Sequence, residues 1–210
     1  MNSTVTKIKP ILESFYDHAI KSTEECRQIN ERYKPDTAEP MCKTVKESLY
    51  AIYLDDKQKI ETLTNTAIEA VLAADVFRGE DITADAELLK DERFDIGHRQ
   101  FEFLVNRYAY KNNTMIALLR GYYLKQGNSL RVIAPELQAA LAPVEERVRA
   151  WEKIRSSAVS LLDTVYTQHS AVDGHVHPMQ EKHEMPVTRD QVECFMAGTL
   201  SKQLHLLIGE

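Results

Sequence analysis

The chain has 210 residues, 43% of them hydrophobic, enough for one domain with a sizeable core. Its net charge of −6 excludes a generally basic surface for nucleic acid or anionic membrane, though not a local basic patch. Three cysteines, Cys26, Cys42 and Cys194, are odd in number and widely spaced, so they read as neither a disulfide framework nor a zinc pattern and fit a reducing cytosol.

The start, MNSTVTKIKP, has no apolar signal core, and no run approaches the length of a membrane span. A soluble, cytoplasmic protein without membrane insertion is the expectation. From Ile8 the apolar residues recur at three-and-four spacing and predict a helix to about Tyr33, where Lys34 and Pro35 stop it. A second helix is predicted from near Pro40, carrying Val45, Leu49, Ile52, Tyr53, Ile60, Leu63 and Val71 and ending at Gly79. Thr83 and Asp85 are placed to cap a short helix to about Arg93. The next helix follows Asp95, Ile96 and Gly97 and carries Phe101, Leu104, Val105, Tyr108, Met115, Leu118, Leu119 and Tyr122. After a polar break, helix resumes from Val132 to Leu141, and Pro143 opens another bearing Trp151, Ile154, Leu161 and Val165. A His-rich loop over 173–187 precedes a last helix, capped by Thr188 and ending near Ile208. Almost nothing alternates with strand period, so the expectation is an all-α, single-domain multi-helix bundle over 1–210.

Three groups of side chains invite a ligand. His18 lies on or beside the buried stripe of the first helix, where an imidazole serves either as a metal or haem-iron donor or as a core-edge histidine satisfied by a neighbouring helix. Asp95, His98 and Glu102 stand at one-turn spacings as in carboxylate-bridged metal bundles, but Asp95 and Glu102 flank the apolar stripe, as charged groups on a solvated face do. His169, His175, His177 and His183, with Asp173, Glu181 and Glu184, lack regular ligand spacing. There is no phosphate-cradling glycine loop and no nucleophile elbow.

The polar break is the most informative stretch. Tyr122, Tyr123 and Leu124, then Gln126, Gly127, Asn128 and Ser129, then Leu130, Arg131, Val132, Ile133 and Ala134 resemble the distal helix of heme oxygenases, particularly the bacterial form. The order of other features is similar. His18 stands where that family carries its proximal iron ligand, Ser48 to Tyr53 resemble its aromatic-rich second helix, and Trp151 resembles the tryptophan after the distal segment. The resemblance implies a heme oxygenase-like fold, with haem as both substrate and cofactor and His18 on the iron. O2 and electrons from an external reductase or ferredoxin would open haem to biliverdin, carbon monoxide and iron. Gly121, Gly127, Asn128 and Ser129 would bend the distal helix so that backbone approaches the haem face. Gln126 and Asn128 would hydrogen-bond near bound oxygen, and Arg131 would obstruct the haem if it faced it or, pointing outward, pair with a propionate. Lys7, Lys9, Arg147, Arg149 and Lys153 are further propionate partners or plain solubilising charges.

The departures from the family pattern lie at working positions. Gln126 replaces a glutamate, Arg131 stands where a glycine is expected, and Ser22 rather than glutamate follows His18 by one turn. They leave a second reading: a non-catalytic helical binding or regulatory protein of the same fold, with another ligand or a protein partner. Another enzyme on the same architecture, thiaminase-like or carboxylate-metal, is a weaker third.

Overall fold

A computed structural model describes residues 3–90, 96–109, 111–126, 135–170 and 189–190. Its helices are α1 (Ser3–Arg32), α2 (Pro35–Ala74), α3 (Asp85–Lys90), α4 (His98–Tyr108), α5 (Asn113–Gln126), α6 (Pro135–Ala140) and α7 (Val144–Ser170). There is no strand among the described residues, as the helical periodicity predicts. None of their helices is long and apolar enough to cross a membrane. The expected helix after Thr188 lies outside them, apart from residues 189–190.

Three boundaries differ from the sequence reading, each for a local reason. The second helix opens at Pro35 rather than Pro40, because proline at a first helical position lacks only an N–H that would be unpaired anyway. Lys34 O accepts from Thr37 and Ala38 N–H at 2.9 Å each and starts the turn. That helix stops at Ala74, short of Gly79, where the Asn113 side-chain amide donates to the Ala74 carbonyl. The predicted helix over Phe101 to Tyr122 is two helices. Asn112 breaks it, its Oδ1 accepting from Met115 N–H at 2.9 Å as an N-cap while its Nδ2 donates to Asp81 O at 2.7 Å. Thr83 does not cap α3, because its hydroxyl pairs with the Tyr108 hydroxyl at 2.7 Å.

The chain divides into two compact units, with boundaries inside α2, at Thr64/Asn65, and inside α7, at Lys153/Ile154. The middle unit, Asn65–Lys153, packs α4 against α5 and α6. Its core gathers Phe101, Val105, Met115, Leu119 and Leu137, and Phe101 stacks on Tyr122 and Tyr123 at 6.0 and 5.9 Å. Burying each large apolar side chain contributes about 1.5–3 kcal/mol. The guanidinium of Arg120 donates to Leu141 O at 2.7 Å and Ala142 O at 3.0 Å, satisfying carbonyls left at the end of α6.

Among the described residues the hairpin unit is built chiefly from Thr4–Thr64 and the part of α7 from Ile154 to Ser170. The turn at Tyr33 and Lys34 folds α2 back along α1. Ile8, Leu12, Phe15, Ala19, Cys26 and Ile29 form the buried stripe of α1; α2 contributes Ala38, Cys42, Leu49 and Ile60, and α7 contributes Ile154, Ala158, Leu162 and Val165. Asp56 is also buried, with the Lys59 ammonium 2.8 Å from its carboxylate, so the charge is paired one helical turn away.

Candidate functional site

Within the hairpin unit a cleft opens between α1 and α2. His18, Lys21, Ser22 and Glu25 line it from α1, a single helical face. Thr44, Val45, Ser48, Leu49 and Ile52 line it from α2, and the cavity volume is about 260 Å³. The gap follows from the residue types. Ser22, Thr44 and Ser48 occupy places where larger side chains would fill the space between helices. Thr44 Oγ1 donates back to Pro40 O at 3.1 Å and Ser48 Oγ to Thr44 O at 3.0 Å, so both hydroxyls are turned onto their own helix. Leu49 is buried, Val45 and Ile52 are half-buried, and His18, Lys21 and Glu25 are exposed. The wall is therefore part apolar and part charged. His18 is accessible, and the expected alternative of a core-edge histidine does not describe it.

The other expected residues fall in different places. Gly121 and Gln126 lie on α5 in the middle unit, both exposed, and the chain stays helical through them. A side chain built at Gly121 would meet nothing within 4 Å among the described residues. Gly127, Asn128, Ser129 and Arg131 lie outside the described residues, as do Asp95, His175, His177 and His183. His98 Nε2 and Glu102 Oε1 form a pair at 3.3 Å along α4. No group of three His, Cys, Asp or Glu side chains suited to a metal occurs among the described residues.

His169 is on α7 rather than in a loop. Its Nδ1 lies 2.8 Å from Thr23 Oγ1, its ring meets Tyr16 edge-on at 6.4 Å, and burial holds its pKa below the ordinary histidine value. Thr23 Oγ1 also lies 3.0 Å from Ala19 O, to which it donates. The imidazole N–H is then on Nδ1, pointing at the threonine oxygen.

Two further groupings were not visible in the sequence. Tyr53, on α2, donates to Asp163 Oδ1 at 2.6 Å and accepts from Lys57 Nζ at 3.0 Å; its ring stacks on Tyr166 at 4.6 Å and lies 6.0 Å from Tyr50. Burial, then the Asp163 carboxylate, raises the Tyr53 pKa, so the phenol keeps its proton. Cys26 and Cys42, far apart in the sequence, face each other between α1 and α2. For the cysteines the one sequence signal is the turn at Lys34 and Pro35, which folds the stripes of α1 and α2 together; the Tyr53 grouping joins α2 to α7 and has no such signal.

No protein family, curated protein or solved structure matches this chain.

Proposed function

We propose that the chain is a divergent heme oxygenase-like protein that binds haem through His18. The resemblance of residues 121–134 and of the helix order supports the family, and one observation supports the ligand: His18 stands accessible on a cleft beside Val45, Leu49 and Ile52. An accessible imidazole against apolar side chains has the donor chemistry that haem iron takes. Bound haem would supply oxygen activation at its iron. Lys21, exposed on the same wall, supplies a positive charge at the cleft's edge. Ring opening to biliverdin rests on the resemblance of the distal stretch alone.

A second reading is favoured by the cleft's size and wall. Pockets that enclose drug-sized ligands run to roughly 300–1,000 Å³, and this one, at about 260 Å³ with Ser22, Glu25, Thr44 and Ser48 in its lining, falls below that range. A non-catalytic helical protein with a smaller polar ligand in the same cleft accounts for those features.

Hemin titration separates the two. The haem reading expects a saturable one-to-one complex with a histidine-type Soret band that His18→Ala removes, and decay to a biliverdin-type band on adding ascorbate under air. A complex that is stable to ascorbate removes the enzyme but keeps the haem site. A spectrum unchanged in His18→Ala removes the ligand assignment, and absence of saturable binding leaves the second reading.

A further inference from the structure

The pairing of Cys26 with Cys42 belongs to neither reading. Phe15 packs on Tyr53 across the hairpin, and Cys26 follows Phe15 by as many residues as Cys42 precedes Tyr53, so the two cysteines sit opposite one another. Ala38, one turn before Cys42, is buried in the same small cluster, and such short side chains let two helices approach closely. Cys42 Sγ lies 3.6 Å from Cys26 O, and Cys26 Sγ lies 3.9 Å from Cys42 O. A cysteine side chain is one rotatable bond long. Each sulfur thus reaches the other residue's backbone, so the two side chains point at one another across the helix contact, as a disulfide requires. Both thiols are free, and burial, then the neighbouring Cys42 thiol, pushes the Cys26 thiol up to about 11.

We propose that Cys26 and Cys42 form a reversible dithiol–disulfide pair that ties α1 to α2 beside the His18 cleft. A small hydroperoxide is the oxidant. Cys42, the more accessible of the two at 9% against 4%, attacks the O–O bond. One oxygen becomes its sulfenic acid, and the other leaves as alcohol or water. The Cys26 sulfur then attacks the Cys42 sulfur; the S–S bond forms, the S–O bond breaks, and the hydroxyl departs as water with the thiol proton. Two electrons have passed from the thiols to the peroxide, and a dithiol reductant returns them. Glu25 adjoins Cys26, and Val45 lies one turn beyond Cys42, so the bond fixes one end of the cleft without removing any group that lines it.

The test uses the full chain carrying Cys194→Ser, which leaves this pair as the only thiols. Hydrogen peroxide is expected to take the thiol count to zero in a monomer, with one Cys26–Cys42 link in the non-reduced peptide map, reversed by dithiothreitol. Closing a loop between positions 16 residues apart is expected to raise the melting temperature by roughly 5–10 °C. The unsubstituted chain is expected to form the same link with Cys194 still reduced. Cys42 found as sulfinic acid beside a reduced Cys26, links between chains, links to Cys194, or thiols that survive excess peroxide would each overturn the pair. Hemin binding takes no part in the readout, so failure of the haem proposal leaves this one standing.

Discussion

Among the described residues each unit holds a tyrosine, a carboxylate and a cation bonded together, and their settings differ. In the middle unit Tyr108 donates to Asp85 Oδ2 at 2.6 Å, while Arg107 pairs with that carboxylate at 3.1 Å and lies over the Tyr108 ring at 5.6 Å. In the hairpin unit Tyr53 donates to Asp163 Oδ1 at 2.6 Å, while Lys57 pairs with it at 3.3 Å and lies over the Tyr53 ring at 5.3 Å. Tyr108 is buried among Phe101, Leu104 and Met115 and shares its hydroxyl with Thr83, so the trio fastens the loop before α3 onto α4. Tyr53 is half-buried, stacked on Tyr166 beside an exposed Tyr50, and its trio holds α2 to α7 at the surface. Burial, not the list of bonded atoms, decides what each trio contributes, because water replaces a lost partner only where it has access.

The two units would differ most if they unfolded apart. Phe101 and Phe15 are each fully buried, one in each core, and replacing either by alanine is expected to cost about 3–5 kcal/mol. Because α2 and α7 each run through both units, urea denaturation is expected to show a single transition, shifted in both variants. Two separate transitions, with only one moved by each substitution, would show independent cores.

Tyr108→Phe removes a part-buried bond to a carboxylate and leaves the Thr83 hydroxyl only its weak contact to Met115 Sδ at 3.5 Å, so a loss of about 1.5–3 kcal/mol is expected. Tyr53→Phe leaves Asp163 with Lys57 and solvent, and about 0.5 kcal/mol is expected. Equal losses in paired denaturation curves would mean that exposure is not what separates the trios.

How much of this was legible follows from the range of each interaction. The helices of the hairpin unit were readable because their apolar stripes are local and periodic, and α1 ends within a residue or two of the predicted stop at Lys34 and Pro35. The break at Asn112 was missed because the apolar spacing runs on from Tyr108 to Met115; the paired asparagines at 112 and 113, good capping residues, were the available signal. His18 was singled out on a helical face, but its partners in the cleft come from another helix, and neither the gap at Ser22, Thr44 and Ser48 nor the meeting of Cys26 with Cys42 shows in one-dimensional spacing. Counting cysteines asks only whether neighbours in sequence repeat, and these two become neighbours only once the hairpin closes.

A last dependence lies on α7, where the hairpin unit holds the half-buried His169, while His98 of the middle unit lies at the surface. Burial depresses the His169 pKa from 6.5, so between that folded value and 6.5 the unfolded chain binds more protons than the folded one. Its contribution is therefore complete above pH 6.5 and is lost as pH falls through the folded value. His169→Asn keeps a polar atom near Thr23 Oγ1 but cannot titrate. Melting temperature is expected to fall on acidification below pH 6.5 in the parent chain and to fall less in the variant, the curves converging in form above that pH. Parallel curves across pH 5–7 would mean that His169 stays protonated against Thr23, with the threonine oxygen accepting from imidazolium and burial too slight to matter.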